Sequence, residues 1–237
     1  MVMKVKKFIP LLLIISFVLG GCGKAQEPVN ATTMPTTAEE TTIPYYLQDV
    51  YSPMAEPEFL DFEKSSWARE YKPEFVMIHF TSAVTLDREN PYDKEKNRKI
   101  FEDYEIGINY IIDREGNITC YLPENRAAWH AGAGEWNDDP KYTNLMNKYS
   151  IGIEVLAIGS KSDMEQYLSS YEYNSLDDSL IGYTDAQYTS LKALVEDICN
   201  RQNIPLDRDH VIGHEEYSER KSDPGELFDW SRVVPGA

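Results

Sequence analysis

Short apolar runs that alternate with helical patterns constrain the fold of this chain more than any other sequence feature. Residues 75–80 (FVMIHF), 150–156 (SIGIEVL) and 209–213 (DHVIG) carry consecutive apolar side chains, which indicates buried strands. Helical patterns over residues 94–104 and 184–202 separate them. This order predicts an α/β domain with a central mixed β-sheet flanked by helices.

The longest predicted helix has a start signal and a buried face. Thr184 is placed to cap its first turn, and Gln187 follows three residues later to complete a capping box. Apolar side chains then recur at helical spacing: Tyr188, Leu191, Leu194, Val195 and Ile198. Residues 109–113 and 118–122 form a predicted hairpin around a Gly-Asn turn, which supplies further strands for the sheet.

The N-terminal residues have the pattern of an export signal. Lys4, Lys6 and Lys7 precede an apolar stretch over residues 8–19, which is too short to span a bilayer comfortably. The stretch ends in Leu-Gly-Gly-Cys22, which resembles the bacterial lipobox, in which the Cys becomes the lipidated first residue. An ordinary signal peptide cut nearby and an uncleaved anchor are the alternatives. We expect an exported protein held at the membrane by lipid on Cys22 and facing the cell wall.

The segment after Cys22 buries little apolar surface, because it is rich in Thr, Pro, Glu and Ala up to about residue 57. We therefore expect a signal peptide over residues 1–21, a lipidated Cys with a disordered linker over residues 22–57, and one folded domain over residues 58–237. A chain of 237 residues suits one such domain with extras.

The net charge of the chain limits the kinds of molecule that it can bind. Lys and Arg number 23 against 40 Asp and Glu, a net charge of −17, which argues against a nucleic-acid partner. We expect a monomer.

Cys120 and Cys199 are not spaced as metal ligands, and the sequence leaves open whether they form a disulfide or remain buried free thiols.

The C-terminal segment from residue 214 to residue 225 concentrates reactive side chains. It contains His214, Lys221 and Asp223, and zinc takes His nitrogen and carboxylate oxygen as ligands. Catalytic zinc sites use three protein ligands, so a third ligand is expected elsewhere in the chain.

The four histidines differ in context. His79 ends a predicted strand and His214 follows Gly213 at the end of another, so both are aimed from rigid elements. We interpret His210 as a structural residue. His130 lies in the Gly-rich loop Trp-His-Ala-Gly-Ala-Gly, where it can be a ligand, a substrate contact or a bracing group.

Six motifs in order resemble the zinc-dependent N-acetylmuramoyl-L-alanine amidases, the type-2 amidases related to peptidoglycan recognition proteins. The resemblance covers about residues 75–230. Its motifs are IHFT (78–81), YIIDREG (110–116), AWHAG (128–132), SIGIE (150–154), GH (213–214) and KSDPG (221–225).

The resemblance implies a role for particular residues. His79, His214 and Asp223 match the family's metal ligands, which supplies the missing ligand, and Lys221 matches its catalytic Lys. Glu154 matches a catalytic Glu of the members that have Asp as a ligand. The family's His at position 130 is not a metal ligand, so we place His130 in the pocket wall or among the substrate contacts, and we expect Trp129 and Thr81 to contact substrate as well.

One position departs from the resemblance. Phage-type and animal members carry a Tyr where this chain has Ile108, which puts more weight on Glu154. We expect Glu154 to move the proton of the attacking water and Lys221 to stabilise the oxyanion. The alternatives are a solvent-facing strand residue for Glu154 and a surface ion pair with Glu219 or Asp223 for Lys221.

The implied reaction is the zinc-dependent hydrolysis of the bond between the lactyl group of N-acetylmuramic acid and L-Ala in peptidoglycan. A groove for this polymer is expected to include Trp129, Trp136, Tyr121 and the Tyr- and Ser-rich excursion over residues 159–183. The alternatives are a recognition module that binds peptidoglycan without cutting it, and a zinc peptidase that cuts within the stem.

Overall fold

A mixed β-sheet forms the centre of the part of the chain that the structure, a computed structural model, describes: residues 50–237. The described strands are β1 (Glu56–Pro57), β2 (Ser66–Ala68), β3 (Phe75–Thr81), β4 (Tyr110–Ile112), β5 (Ile118–Cys120), β6 (Arg126–Ala128), β7 (Ser150–Leu156) and β8 (Val211–Gly213). The α-helices are α1 (Phe62–Ser65), α2 (Lys94–Tyr104), α3 (Lys161–Met164), α4 (Ser170–Asn174), α5 (Asp185–Gln202) and α6 (His214–Tyr217). Short 3-10 turns lie at Met146–Lys148, Asp178–Leu180 and Trp230–Arg232.

The strand order of the main sheet is β1-β5-β4-β7-β3-β8. β3 lies between β7 and β8 and is parallel to both, whereas β4 and β5 form an antiparallel hairpin. β2 and β6 form a separate antiparallel pair. The predicted central mixed sheet flanked by helices is confirmed, and its parallel centre places the ends of β3, β7 and β8 along one edge.

The two faces of the sheet have different roles. Val76 and Ile78 of β3 and Ile151 and Ile153 of β7 belong to a buried apolar cluster with the inner face of α5. Because side chains alternate along a strand, His79 on β3 and Glu154 on β7 lie on the opposite face. The residues that the sequence singled out for chemistry are thus separated from the main core by the sheet itself.

The helix and hairpin predictions are confirmed. The backbone N–H of Gln187 donates to Thr184 Oγ1 at 3.1 Å, and the N–H of Thr184 donates to Gln187 Oε1 at 2.9 Å, so the capping box forms. α2 spans the predicted residues 94–104. The strands of the hairpin are shorter than expected, because Asp113 Oδ1 accepts the N–H of Asn117 at 2.8 Å and closes the turn.

The folded region begins before residue 58, the start expected from the sequence. Ser52 and Ala55 are buried, and β1 pairs in parallel with β5 at the edge of the main sheet. The N–H of Ser52 also donates to the Tyr110 hydroxyl at 2.7 Å. These contacts are long-range and involve few apolar residues, so the local sequence pattern does not reveal them.

The predicted signal peptide, Cys22 and the linker up to residue 49 lie outside the described residues. Within residues 50–237, no helix combines the length and the apolar character needed to cross a lipid bilayer. Cys120 and Cys199 are both buried and no disulfide joins them, which decides between the two states that the sequence left open.

Candidate metal centre

The ends of two parallel strands bring together the three side chains that were predicted as metal ligands. His79 lies near the end of β3, and His214 follows β8 as the first residue of α6. Asp223 comes from the loop after α6. His79 Nδ1 lies 3.0 Å from His214 Nδ1 and 2.8 Å from Asp223 Oδ2, and His214 Nδ1 lies 3.0 Å from the same oxygen.

This donor set fits a metal ion. Ligand atoms at about 2.0–2.1 Å from a tetrahedral zinc are separated by roughly 3.3 Å, close to the three distances observed. The Nε2–H of His214 donates to the carbonyl of Ala131 at 2.9 Å, so Nδ1 of a neutral His214 carries the lone pair. An imidazole lone pair and a carboxylate oxygen without a proton between them repel each other, and a cation at their meeting point removes this repulsion.

The ionisation states of the ligands suit the same role. Burial, helped by the neighbouring His214, lowers the pKa of His79 to about 4, so its imidazole is neutral near pH 7. Burial opposes ionisation of Asp223, but its contacts with His214 and His79 hold the pKa of this carboxyl below its usual range. A neutral imidazole at His79 and a carboxylate at Asp223 are protonation states that metal ligands require.

Glu154 lies beside the three ligands on the neighbouring strand. Its Cα is paired with that of His79 in the register of β7 and β3. Its Oε2 atom is buried and has no hydrogen-bond partner in the described part of the chain. Burial, followed by the nearby charge of Asp223, raises the pKa of Glu154 well above its usual value, and Lys221 opposes this shift. Glu154 therefore faces the site, and the alternative of a solvent-facing strand residue does not hold.

Lys221 faces the same cavity without a carboxylate partner. Among residues 50–237, no Asp or Glu oxygen lies within ion-pair distance of its Nζ, so the alternative of a surface pair with Glu219 or Asp223 does not hold. Its positive charge acts on both His79 and Glu154. A cation in this position can stabilise negative charge that develops on a bound substrate.

A cavity of about 640 Å³ opens in front of these groups. Thr81 and Trp129, two predicted substrate contacts, line it. Trp129 is 47% exposed, and its ring packs against that of Trp67 at a centroid distance of 4.1 Å and an interplanar angle of 44°. Trp136 and Tyr121 do not line this cavity: Trp136 packs against Phe75, and Tyr121 is buried in another apolar cluster. Their assignment to the groove is therefore wrong, because aromatic residues near a motif in sequence often pack into the core.

The excursion over residues 159–183 is an ordered wall of the cavity. It contains α3 and α4, and its residues Met164 and Tyr167 line the site. Asp163 in α3 joins this wall to the ligand loop: its carbonyl accepts from Ser222 Oγ at 3.0 Å, and its Oδ2 accepts from the N–H of Glu226 at 3.3 Å. The sequence suggested a functional loop here, but gave no signal for the role of Asp163 in holding the loop that carries Asp223.

Two other expectations can be placed in the structure. His130 lies behind His79, with Nδ1 2.9 Å from His79 Nε2 and Nε2 3.1 Å from Ser150 Oγ, so both ring nitrogens are occupied by protein atoms. His130 also lines the cavity, in agreement with its assignment to the pocket wall, while both of its ring nitrogens contact protein atoms. His210 binds Asp207 and stacks on Phe75, away from the ligands, as its structural interpretation predicted.

Comparison with known proteins agrees with this geometry. The sequence profile of the family Amidase_2, N-acetylmuramoyl-L-alanine amidase, matches residues 69–226. The chain belongs to this family. The match begins directly after β2 and includes every residue of the candidate metal centre.

Two curated proteins are similar in sequence to part of this chain. The 1,6-anhydro-N-acetylmuramyl-L-alanine amidase AmpD of Enterobacter cloacae is 32% identical over 128 residues, which cover 54% of each chain. The N-acetylmuramoyl-L-alanine amidase AmiD of Escherichia coli K12 is 26% identical over 184 residues, 74% of this chain and 57% of that protein. This chain thus spans about half the length of the curated relatives it matches.

Solved structures show the same fold. A crystal structure of a selenomethionine derivative of AmpD superposes with a TM-score of 0.55 at 24% identity, covering 79% of this chain and 96% of that one. AmpDh3 from Pseudomonas aeruginosa gives a TM-score of 0.50 at 22% identity, and the superposition covers 73% of this chain and 64% of AmpDh3. At these identities the similarity concerns the fold.

Proposed function

We propose that this chain is a zinc-dependent amidase that hydrolyses the bond between the lactyl group of N-acetylmuramic acid and L-Ala of the peptidoglycan stem peptide. The observation that carries this proposal is the convergence of His79, His214 and Asp223 beside the unpartnered carboxylate oxygen of Glu154. Membership of the N-acetylmuramoyl-L-alanine amidase family supports the choice of bond.

The side chains divide the chemistry of amide hydrolysis between them. His79, His214 and Asp223 would hold zinc, which when bound polarises a carbonyl and makes water more acidic. Glu154 has a raised pKa, so it can accept the proton of the attacking water and deliver it to the leaving nitrogen of L-Ala. Lys221 stabilises the negative charge that develops on the carbonyl oxygen. The C–N bond breaks, and the products are a lactyl carboxylate and a free L-Ala amine.

A recognition module that binds peptidoglycan without cutting it is the second candidate. Such a module has no need for a buried carboxylate oxygen without a partner, which costs about 1–3 kcal/mol, or more when charged. The unpartnered oxygen of Glu154 therefore favours an enzyme over a binding module. A zinc peptidase would share this site and differ only in the bond that is cut.

Product identification separates these candidates. The zinc-loaded protein is incubated with intact sacculi, muramoyl peptides and 1,6-anhydromuramoyl peptides, and the products are analysed by mass spectrometry. The proposal predicts stem peptides with a free L-Ala amine. Uncut glycopeptide after long incubation supports the binding module, and products that retain L-Ala on muramic acid support a peptidase. Relative rates on the two muramoyl forms show which one the cavity prefers.

The location of the protein is a further part of the proposal, supported by the Leu-Gly-Gly-Cys22 sequence after a short apolar stretch. Lipid on Cys22 would hold the catalytic domain at the membrane, on the side of the cell wall. Metabolic labelling with a palmitate analogue should mark the wild-type protein and leave Cys22→Ser unlabelled. Equal labelling of both proteins, or labelling of neither, would contradict the lipid anchor.

A further inference from the structure

Two adjacent residues orient both metal-binding imidazoles. The carbonyl of Ala131 accepts the Nε2–H of His214 at 2.9 Å, and Nδ1 of His130 lies 2.9 Å from Nε2 of His79. The dipeptide His130-Ala131 is itself held by one side chain, since Asn147 Oδ1 accepts the N–H of His130 at 3.0 Å and that of Ala131 at 2.7 Å. The Nε2 atoms of His79 and His214, which point away from the metal site, are thus both held by residues 130–131 of one loop.

Hydrogen bonds connect the Met146 carbonyl to Ser150, Ser150 to His130, and His130 to His79. The position of each proton in this series can be assigned by starting from the Met146 carbonyl. Ser150 Oγ lies 2.8 Å from the carbonyl of Met146, which can only accept, so the hydroxyl donates its single proton there. Ser150 Oγ must then accept from Nε2–H of His130. In a neutral imidazole the other nitrogen is an acceptor, so His130 Nδ1 accepts the Nε2–H of His79. The lone pair of His79 is thereby left on Nδ1, the atom that faces His214 and Asp223.

Strand β7 is shaped to accept the imidazole of His130. A Cβ at Gly152 would lie 2.9 Å from both Cγ and Nδ1 of His130, a separation that real Cβ atoms do not tolerate. Ser150 and Gly152 alternate with buried residues of the core, so they face the same side of the sheet as His79. The absence of a side chain at residue 152 lets the imidazole lie between the Ser150 hydroxyl and His79.

We propose that His130 and Ser150 are positioning residues for the metal centre, which fix His79 in the tautomer and orientation that present Nδ1 to the ion. The inference rests on the metal site of the proposed function, but not on the bond that the enzyme cuts. It replaces the substrate-contact role expected for His130 from the sequence. Partners of this kind, which hold a metal-ligating His from behind, typically change metal affinity about 10–100-fold when they are removed.

The test measures zinc affinity by competition with a chromophoric chelator, without any substrate. His130→Leu keeps similar bulk and removes the acceptor, whereas the side-chain oxygen of His130→Asn occupies nearly the place of imidazole Nδ1. We expect His130→Leu to weaken zinc binding about 10–100-fold and His130→Asn to restore most of it, although Asn fills the space less well. In the cobalt-substituted protein, the exchangeable Nε2 proton of His79 should give a shifted resonance that His130→Asn retains and His130→Leu loses.

Ser150→Ala provides a milder variant in case His130→Leu does not fold. It leaves the imidazole of His130 packed on Gly152 and removes only the acceptor that fixes its tautomer, so we expect a loss in zinc affinity of up to about tenfold. Wild-type zinc affinity in both Ser150→Ala and His130→Leu would overturn the proposal. An equal loss in His130→Leu and His130→Asn would overturn it as well, since the cause would then be packing. These results stay interpretable if wild-type protein cuts no muramoyl amide, because affinity is measured without turnover.

Discussion

The two sides of the active-site cavity differ in how their polar atoms are partnered. On the ligand side, the outer nitrogens of His79 and His214 are both engaged, by His130 and by the Ala131 carbonyl. On the opposite side, the buried Oε2 atom of Glu154 has no hydrogen-bond partner within residues 50–237, and the exposed Lys221 forms no ion pair with these residues. The fold thus holds the metal-binding imidazoles in place, whereas the groups on the opposite side, which we call the free side, can still form hydrogen bonds.

This difference indicates a division of labour. Buried polar groups in folded proteins are normally hydrogen-bonded, so a group without a partner needs an explanation. For the buried oxygen of Glu154 the proposed function supplies an explanation, because a substrate or a water molecule would complete its contacts during the reaction. Substitutions on the ligand side should therefore change metal content, whereas substitutions on the free side should change turnover and leave the metal in place.

Asp223→Ala should have the largest effect, because it removes one of three ligands. Zinc affinity is expected to fall by about three orders of magnitude, since each ligand contributes several kcal/mol of a total of about 10–16 kcal/mol. Amidase activity should disappear with the metal. Elemental analysis of the dialysed variant checks this, and Asp229→Ala, an exposed acid outside the cavity, is the matched control. Retention of one zinc per chain would show that the ligand set is wrong.

Glu154→Gln should show most clearly that the two sides of the cavity act differently, one on metal binding and the other on turnover. The variant keeps the shape of the side chain and removes the proton acceptor, so turnover should fall about 10²–10⁴-fold while zinc content stays at the wild-type level. The measurement is kcat together with metal analysis on the same sample. Full activity would mean that another group moves the proton.

Lys221→Met should reduce kcat about 10²-fold, because it removes a fixed positive charge and retains the length of the side chain. KM and zinc content should change little, since Lys221 contacts no metal ligand through a hydrogen bond. Arg220→Met is the control for loss of a neighbouring surface cation. If Lys221→Met lost zinc in proportion to activity, Lys221 would belong to the ligand side.

Tyr167→Phe should have the smallest effect. Its hydroxyl lines the cavity and has no protein partner in the described residues, and its pKa is raised by burial and by the nearby Asp223 and Glu154. Loss of one hydrogen bond to substrate, about 1 kcal/mol, should lower kcat/KM about fivefold. Tyr171→Phe, which is 84% exposed on the same excursion, should match the wild type. If both variants had the same kcat/KM, the hydroxyl of Tyr167 would not contact the substrate.

The sequence predicted the parts of the fold that depend on local patterns. The capping box of Thr184 and Gln187 and the strands that end near His79 and after Glu154 follow from side-chain spacing within a few residues. The ligand residues were chosen from the resemblance to the amidases, and the parallel strands β3 and β8 bring two of them, His79 and His214, to one edge of the sheet.

Contacts between distant segments were not predictable in this way. Asn147 holds the loop at residues 130–131, and Asp163 holds the loop at residues 222–226, each through two hydrogen bonds between segments distant in sequence. The buried carboxylate of Glu124 joins Arg201 to Tyr110 in the same manner. None of these residues stands in a periodic pattern or beside a motif, so only the folded chain reveals what each one contacts.

Titration of the metal-free protein with zinc tests the central claim most directly. Activity is followed as the appearance of free L-Ala amines from muramoyl peptide, and bound metal is measured in parallel. The account predicts no activity without metal and a linear rise that stops at one zinc per chain. Amide cleavage by the metal-free protein, or saturation at one zinc per chain without cleavage, would contradict it.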